Sequence, residues 1–189
     1  MKSAAGILCV GMLLSLNAVE IPLSSENWKP IAPEQRKQIL LSGAAGKTPE
    51  AVLDLQLRPS RFHYAEFYCP NPFPIASSRA SFHGKISFDL MLNQESDFRC
   101  ISIRLLDKDG ETFHYSAFPK IKKDQWIPVV FDLSPKIRFL SSWGKKKNGM
   151  IDYPVSFAGL SVDFNKKSDR DIRFRIKNMR WEPSPLPPN

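Results

Sequence analysis

The sequence predicts an all-β domain, a β-sandwich of jelly-roll type made of two antiparallel sheets. Three observations lead there. Apolar residues recur at every second position from residue 80 to 181 in short runs broken by charged or Gly-containing segments, the period of half-buried strands. Seven or eight such runs occur along the chain, enough for two packed sheets. No long stretch carries the spacing of an amphipathic helix.

The runs follow in order. Val52, Leu55 and Leu57 form the first, and the aromatic run Phe62 to Tyr68 the second, with facing unfixed by pattern in both. Phe82, Ile86, Phe88, Leu90 and Leu92 share one face and end at the polar turn Asn93 to Asp97. Ile101, Ile103 and Leu105 lead into Asp107-Lys108-Asp109-Gly110, a hairpin signal. Phe113 to Phe118 returns, followed by Ile127, Val129, Phe131 and Leu133, then Leu160, Val162 and Phe164, then Ile172, Phe174 and Ile176. Ala32 to Leu41 reads either as a helix bracketed by Pro33-Glu34 and Gly43 or as a short strand at Ile39-Leu40-Leu41, the strand being slightly preferred. The tail Glu182 to Asn189 is expected to stay outside the sheets, because its prolines lack the amide donor.

Composition agrees with one globular domain. The 189 residues include 13 Phe, 4 Trp and 4 Tyr, more aromatic content than a disordered chain carries. Lys2, the apolar stretch Ala4 to Leu16 and the small-residue site Leu16-Asn17-Ala18 read as a signal peptide over residues 1–18. Its apolar run is shorter than the roughly 20 residues that span a bilayer, so a retained anchor is the weaker alternative, and Cys9 lacks the small residues expected before a lipid-modified cysteine. The expected location is secreted or periplasmic, with no membrane span after cleavage. The domain then covers 19–182 and a Pro-rich tail 183–189. Cleavage takes one Lys and no acid, so the formal charge falls from +8 to +7 (8 − 1). Cys69 and Cys100 remain and are expected to pair in an oxidising compartment, two buried thiols being the alternative.

Most chemistries are excluded or weak. The three Cys and three His form no cluster with metal-ligand spacing. Ser42-Gly43-Ala44-Ala45-Gly46-Lys47-Thr48 resembles a phosphate loop, but Leu41 stands where the first Gly is required. Only His63, His83 and His114 offer a histidine base, and no G-x-S-x-G elbow is present. Glu66, Asp89, Asp132 and Asp163 fall in strands without any sign that two converge as a glycosidase pair. The chain is therefore read as not an enzyme, and as no nucleic-acid binder despite Lys145-Lys146-Lys147.

Two patterns suggest binding. Arg173, Arg175 and Lys177 alternate with Ile172, Phe174 and Ile176, which puts three cations on the face away from the core. Arg104 and Lys85 alternate in the same way on their own strands. If these strands share a sheet, its outer face is basic and suits carboxylated or sulfated sugars; the alternative is a solvated face that discourages edge aggregation. A pyranose needs an aromatic plane, and Trp143, in the turn-like Ser141 to Lys145, is the first candidate, with Tyr68 and Tyr153 next. Each is equally readable as core.

The stretches Gly84-Lys85-Ile86-Ser87-Phe88-Asp89-Leu90, Leu105-Leu106-Asp107-Lys108-Asp109-Gly110, Trp126 to Ser134 and Ile176-Lys177-Asn178-Met179 resemble the galactose-binding-like jelly-roll modules that accompany secreted bacterial glycoside hydrolases. The resemblance covers residues 80 to 180 and implies fold more than site. It implies a non-catalytic module for anionic or neutral polysaccharide, with a glycoside hydrolase or an envelope protein as partner. No cofactor is expected; a structural calcium ion at Asp107 and Asp109 is the one candidate, against a plain hairpin turn. The other functions left open are an envelope or adhesion sandwich that binds protein or an anionic surface, and a small polysaccharide-active enzyme.

Overall fold

The computed structural model describes residues 17–23, 27–30, 39–43, 52–57, 63–93, 97–165 and 171–185. Twelve strands follow in chain order: β1 Val19–Glu20, β2 Lys29–Pro30, β3 Ile39–Gly43, β4 Leu53–Leu57, β5 Tyr64–Ala76, β6 Gly84–Leu92, β7 Phe98–Asp107, β8 Glu111–Ala117, β9 Ile127–Leu133, β10 Ser141–Gly144, β11 Val155–Phe164 and β12 Ile172–Pro183. They form two six-stranded sheets. Sheet A runs β3-β4-β12-β6-β9, with β1 also on β12; sheet B runs β10-β8-β7-β11-β5-β2. Every pairing is antiparallel. The expected two-sheet antiparallel sandwich is thus the fold, and the Ile39 end of the ambiguous segment is a strand.

The core lies between the sheets. Sheet A contributes Leu55, Ile86, Phe88, Leu90, Phe131, Phe174 and Ile176, and sheet B contributes Phe67, Ile101, Ile103, Leu105, Phe113, Leu160 and Val162, all buried. Phe67 and Phe174 meet across the gap edge to face with ring centroids 5.9 Å apart. Each such side chain taken from water contributes about 1.5 to 3 kcal/mol, and together they offset the entropy of ordering two sheets. Trp28 is part of this core and donates its indole N–H to the Pro22 carbonyl at 3.1 Å.

Two bulges reset the alternation that the sequence shows. On β11 the register shifts between Phe157 and Gly159, so Val155 and Phe157 point inward on one phase and Leu160, Val162 and Phe164 on the other. On β12 the register shifts between Lys177 and Arg180, where Asn178 takes φ 56°, and Met179 and Trp181 become the buried positions. A one-residue insertion swaps faces because the side-chain period is two. Both strands therefore run past the ends expected from pattern. β12 includes Glu182 and Pro183, paired with Lys85 and Gly84, which corrects the expectation that Glu182 begins an unpaired tail; a proline is tolerated at a strand end, where one missing donor breaks no interior ladder.

Each sheet has one edge strand with a proline: Pro128 on β9 in sheet A and Pro30 on β2 in sheet B. Residues 1–16 of the signal-peptide reading, the phosphate-loop-like segment from Ala44 on, Phe62 and the end of the tail lie outside the described residues.

Candidate functional site

The register of sheet B fixes which side chains share its outer face. Ser141 pairs with His114, His114 with Arg104, Arg104 with Gly159, and Gly159 with Tyr68, giving one row across five strands. The next row holds Ser116, Ser102, Ser161 and Glu66, and the one beyond it Cys100, Asp163 and Tyr64. Trp143 stands opposite Thr112, on the same side as Ser141 and His114.

The large side chains of this face touch one another. The Arg104 guanidinium carbon lies 4.6 Å from the centroid of the Trp143 ring system, a cation–π contact. The His114 ring meets that indole perpendicularly, with centroids 4.1 Å apart. Arg104 Nη1 is 3.6 Å from Glu66 Oε1, an ion pair just outside hydrogen-bond range. Ser102 and Ser116 share a hydrogen bond of 2.6 Å. Arg104 is only 6% exposed, and Ser102 and Ser161 still less, so the middle of the face is sheltered while Trp143, His114, Tyr68 and Glu66 remain half-buried.

Electrostatics follow from that shelter. Burial first, and the Arg104 charge second, push the His114 imidazole down to about 3, so it is neutral at physiological pH. Burial also lowers Arg104, an effect that Glu66 opposes. Two buried nitrogens, Arg104 Nη1 and His114 Nε2, have no hydrogen-bond partner. Unmade hydrogen bonds of this kind are costly, and the two stand on adjacent positions of one face.

Two glycines shape the face. Gly159 has φ +151°, and a Cβ there would overlap the Phe67 carbonyl oxygen; no other residue lets β11 come so close to β5, and the strip between Arg104 and Tyr68 carries no side chain. Gly144 (φ +147°) sits against Gly110 and Glu111 in the same way, which holds β10, and with it Trp143, onto β8.

The predicted site residues divide. Trp143, Tyr68 and Arg104 come together on the outer face of sheet B, with Trp143 in strand β10 instead of a turn. Arg173, Arg175 and Lys177 do face away from the core, but on sheet A. Alternation fixes a residue's face and not its sheet, so the shared basic face expected for Arg104 and these three does not exist. Nor are the three a bare patch: Arg173 pairs with Asp54, which raises its already high pKa further through that hydrogen bond and charge, and Lys177 lies 4.3 Å from the Trp126 ring centroid. Tyr153 belongs to neither face. It is half-buried and packs against the core beside Phe82, with ring centroids 6.0 Å apart. Sequence reasoning missed the roles of His114, Glu66 and the serines on this face; their alternation with Phe113, Phe67 and Ile101 was the available signal.

Cys69 and Cys100 are free thiols, which corrects the expected bridge. Cys69 points into the core, whereas Cys100 lies on the outer face and donates to Asp163 Oδ2 at 3.3 Å. Cys100 is opposite Asp163, and Asp163 opposite Tyr64, so Cys69 stands two strands over and roughly 16 Å farther along β5 at about 3.3 Å per residue. A disulfide requires Cα atoms within about 7 Å.

The hairpin considered for calcium uses its carboxylates on the backbone. Asp107 Oδ1 accepts the amides of Asp109 (2.9 Å) and Glu111 (2.8 Å), and Oδ2 that of Asp152 (3.2 Å). The fully buried Glu111 accepts from Asn148 at 2.9 Å and Gly149 at 3.2 Å. Among the described residues no group of three or more His, Cys, Asp or Glu is placed to hold a metal ion. A surface depression of about 390 Å³ is lined by Arg79, Ala80, His83, Pro135 and Lys136; no Trp, Tyr or Phe lines it, so it lacks a plane for a sugar ring.

No family model matches the chain, and no curated protein matches it. Solved structures do. A family 11 carbohydrate-binding module from Clostridium thermocellum, in complex with a β-1,3-1,4-mixed-linked tetrasaccharide, superposes with TM-score 0.53 at 14% identity over 85% of this chain and 91% of that one. The solution structure of CtCBM11 gives 0.51 at 15% over 92% and 99%. An exo-β-agarase gives 0.55 at 15%, with 86% of this chain but 24% of that one, so the chain spans about a quarter of the agarase and nearly all of the modules. At these identities the likeness shows the fold, which is the jelly-roll sandwich of carbohydrate-binding modules.

Proposed function

We propose that this chain is an exported, non-catalytic glycan-binding module that holds a neutral polysaccharide on the outer face of sheet B. The carrying observation is the Trp143–Arg104–His114 group on that face, in line with Tyr68: a half-exposed indole fixed from one side by a guanidinium, beside a sheltered polar strip. An aromatic plane stacks the apolar C–H face of a sugar, and nearby fixed polar groups read its hydroxyls.

Neutral ligands are favoured over anionic ones. On this face Arg104 is balanced by Glu66, and the cationic strand of β12 is on the other sheet. A non-catalytic role agrees with the same geometry, since the half-buried His114, pushed down to about 3, is too weak a base and His83 lies in the depression at the start of β6. Export follows from the signal-like residues 1–18, and the agarase likeness, in which the sandwich is a fraction of a longer chain, supports a glycoside hydrolase as working partner. Affinity electrophoresis in gels of neutral and uronate-rich soluble polysaccharides tests the reading. The wild-type protein and Arg173→Ala should be retarded alike by a neutral glycan, also in about 1 M salt where charges are screened beyond roughly 3 Å, and Trp143→Ala should run free. Retardation only by the uronate gel and only at low salt would overturn it, as would release of sugar product.

A further inference from the structure

We infer that Arg104 and Glu66 act as one reader of two neighbouring hydroxyls on a neutral sugar ring, and that Trp143, which covers Arg104 in the free protein, swings aside to admit the ring and then stacks on it; this rests on the glycan-binding reading above. Nη1 and Oε1 are 3.6 Å apart, too far for their own hydrogen bond yet close enough that adjacent oxygens on one ring reach both. A hydroxyl accepts and donates. One ring oxygen accepts from Nη1 while its neighbour donates to the carboxylate, and both bonds are charge-assisted.

Three features select this ligand. Arg104 is more than nine-tenths buried and its Nη1 has no hydrogen-bond partner, so a bond made there is not exchanged for one already present. The charges of Arg104 and Glu66 balance, so a neutral ring adds bonds without leaving net charge in a sheltered place, whereas a sugar carboxylate would face Glu66. Beside the pair the backbone strip is low: Gly159 separates Arg104 from Tyr68, and Ser102 and Ser161 continue the row of Glu66. The indole over Arg104 closes this strip. Nη1 is buried in this state, and among the described residues the four-residue edge strand that carries Trp143 pairs with β8 alone.

The test is affinity electrophoresis on soluble neutral glycans sorted by linkage. Backbone rings of 1,4-linked glucan, mannan, xylan and galactan keep two neighbouring free hydroxyls; those of 1,3-linked glucan and of agarose do not. Retardation is expected in one or more of the first group and in neither of the second. Equal retardation in both groups overturns this inference and leaves the glycan-binding reading intact. Retardation in none overturns both. With the tightest glycan, Glu66→Gln and Arg104→Lys should each weaken binding about tenfold or more, the worth of one charge-assisted bond, measured below the melting temperature of Glu66→Gln, which falls because Arg104 loses its counter-charge. Wild-type affinity in Glu66→Gln would overturn the inference even where binding is strong. Saturating glycan should also shift tryptophan emission, and Trp143→Phe should abolish that shift; a shift that persists in this variant removes Trp143 as the cover.

Discussion

Arg104 and Trp143 are stacked across two strands that are not neighbours: β7 carries the guanidinium, β10 the indole, and β8 lies between them. The β8 residue in the Arg104 row is His114, whose ring stands on edge against the same indole. A cation buried on the outside of a sheet is thereby covered by a ring that still has accessible surface.

Trp143→Ala should lower unfolding stability by about 1 kcal/mol, within the range of a cation–π contact, because water can then reach Arg104 and recover part of the loss. Urea denaturation measures this. A loss several times larger would mean that the indole is a core residue and not a cover.

His114 should make the protein acid-sensitive. Its folded pKa, pushed down to about 3 by burial and then by Arg104, lies below its ordinary value near 6.5, so the unfolded chain takes up a proton that the folded one refuses. The contribution is fully present above about pH 6.5 and is lost as pH falls from there toward 3. The difference in unfolding free energy between wild type and His114→Gln, followed by urea titration across this window, should narrow steadily as the pH drops; a constant difference would contradict it.

Both described thiols should be silent in the native state. Burial raises Cys69 to about 12, and burial with the Asp163 carboxylate raises Cys100 to about 11, so almost no thiolate exists at pH 8. An aromatic disulfide reagent should label neither within minutes, and both after denaturation without reductant. Peptide mapping that finds Cys69 linked to Cys100 would sink the prediction.

Gly159→Ala and Gly110→Ala should differ sharply. Both glycines have positive φ, but a Cβ at Gly110 meets nothing within 4 Å, whereas one at Gly159 overlaps backbone. The first substitution should cost about 1 kcal/mol from the left-handed conformation alone, the second about 2 to 4 kcal/mol. Denaturation midpoints check the order.

Glu111→Gln should loosen the chain after β10. The carboxylate accepts the amides of Asn148 and Gly149, and a Gln there keeps one acceptor oxygen for the two and loses the charge that strengthens both bonds, at about 1 kcal/mol. Limited trypsin digestion should then cut at Lys145 to Lys147 faster than in the wild type; equal rates would show that the loop is held by other contacts.

Much of the sandwich was legible because burial on one side writes a period of two into the sequence. Phe88, Leu90, Ile101, Ile103, Phe131 and Phe174 all lie where that period puts them. It failed where the period breaks: Phe157 and Trp181 are core, but the bulges at Ala158 and Asn178 place them out of phase with Leu160 and Ile176. For the site, alternation pointed Arg104, Arg173 and Arg175 away from the core and said nothing about which sheet each strand joins. Only the strand order shows that Arg104 meets Trp143 while Arg173 meets Asp54. The thiols illustrate the same gap, since Cys69 and Cys100 both sit on strands yet face opposite sides of sheet B.

The prolines on β9 and β2 bear on how copies of the sandwich meet. Pro128 lies on an edge strand of sheet A opposite Asp89 and Pro30 on an edge strand of sheet B opposite Phe67, and neither has an amide hydrogen to offer a further strand. Growth of a cross-β filament needs two competent rims on the same sheet. Among the described residues each sheet keeps one rim without a proline, β3 or β10, so a further strand adds less readily at β9 and β2 than at these two.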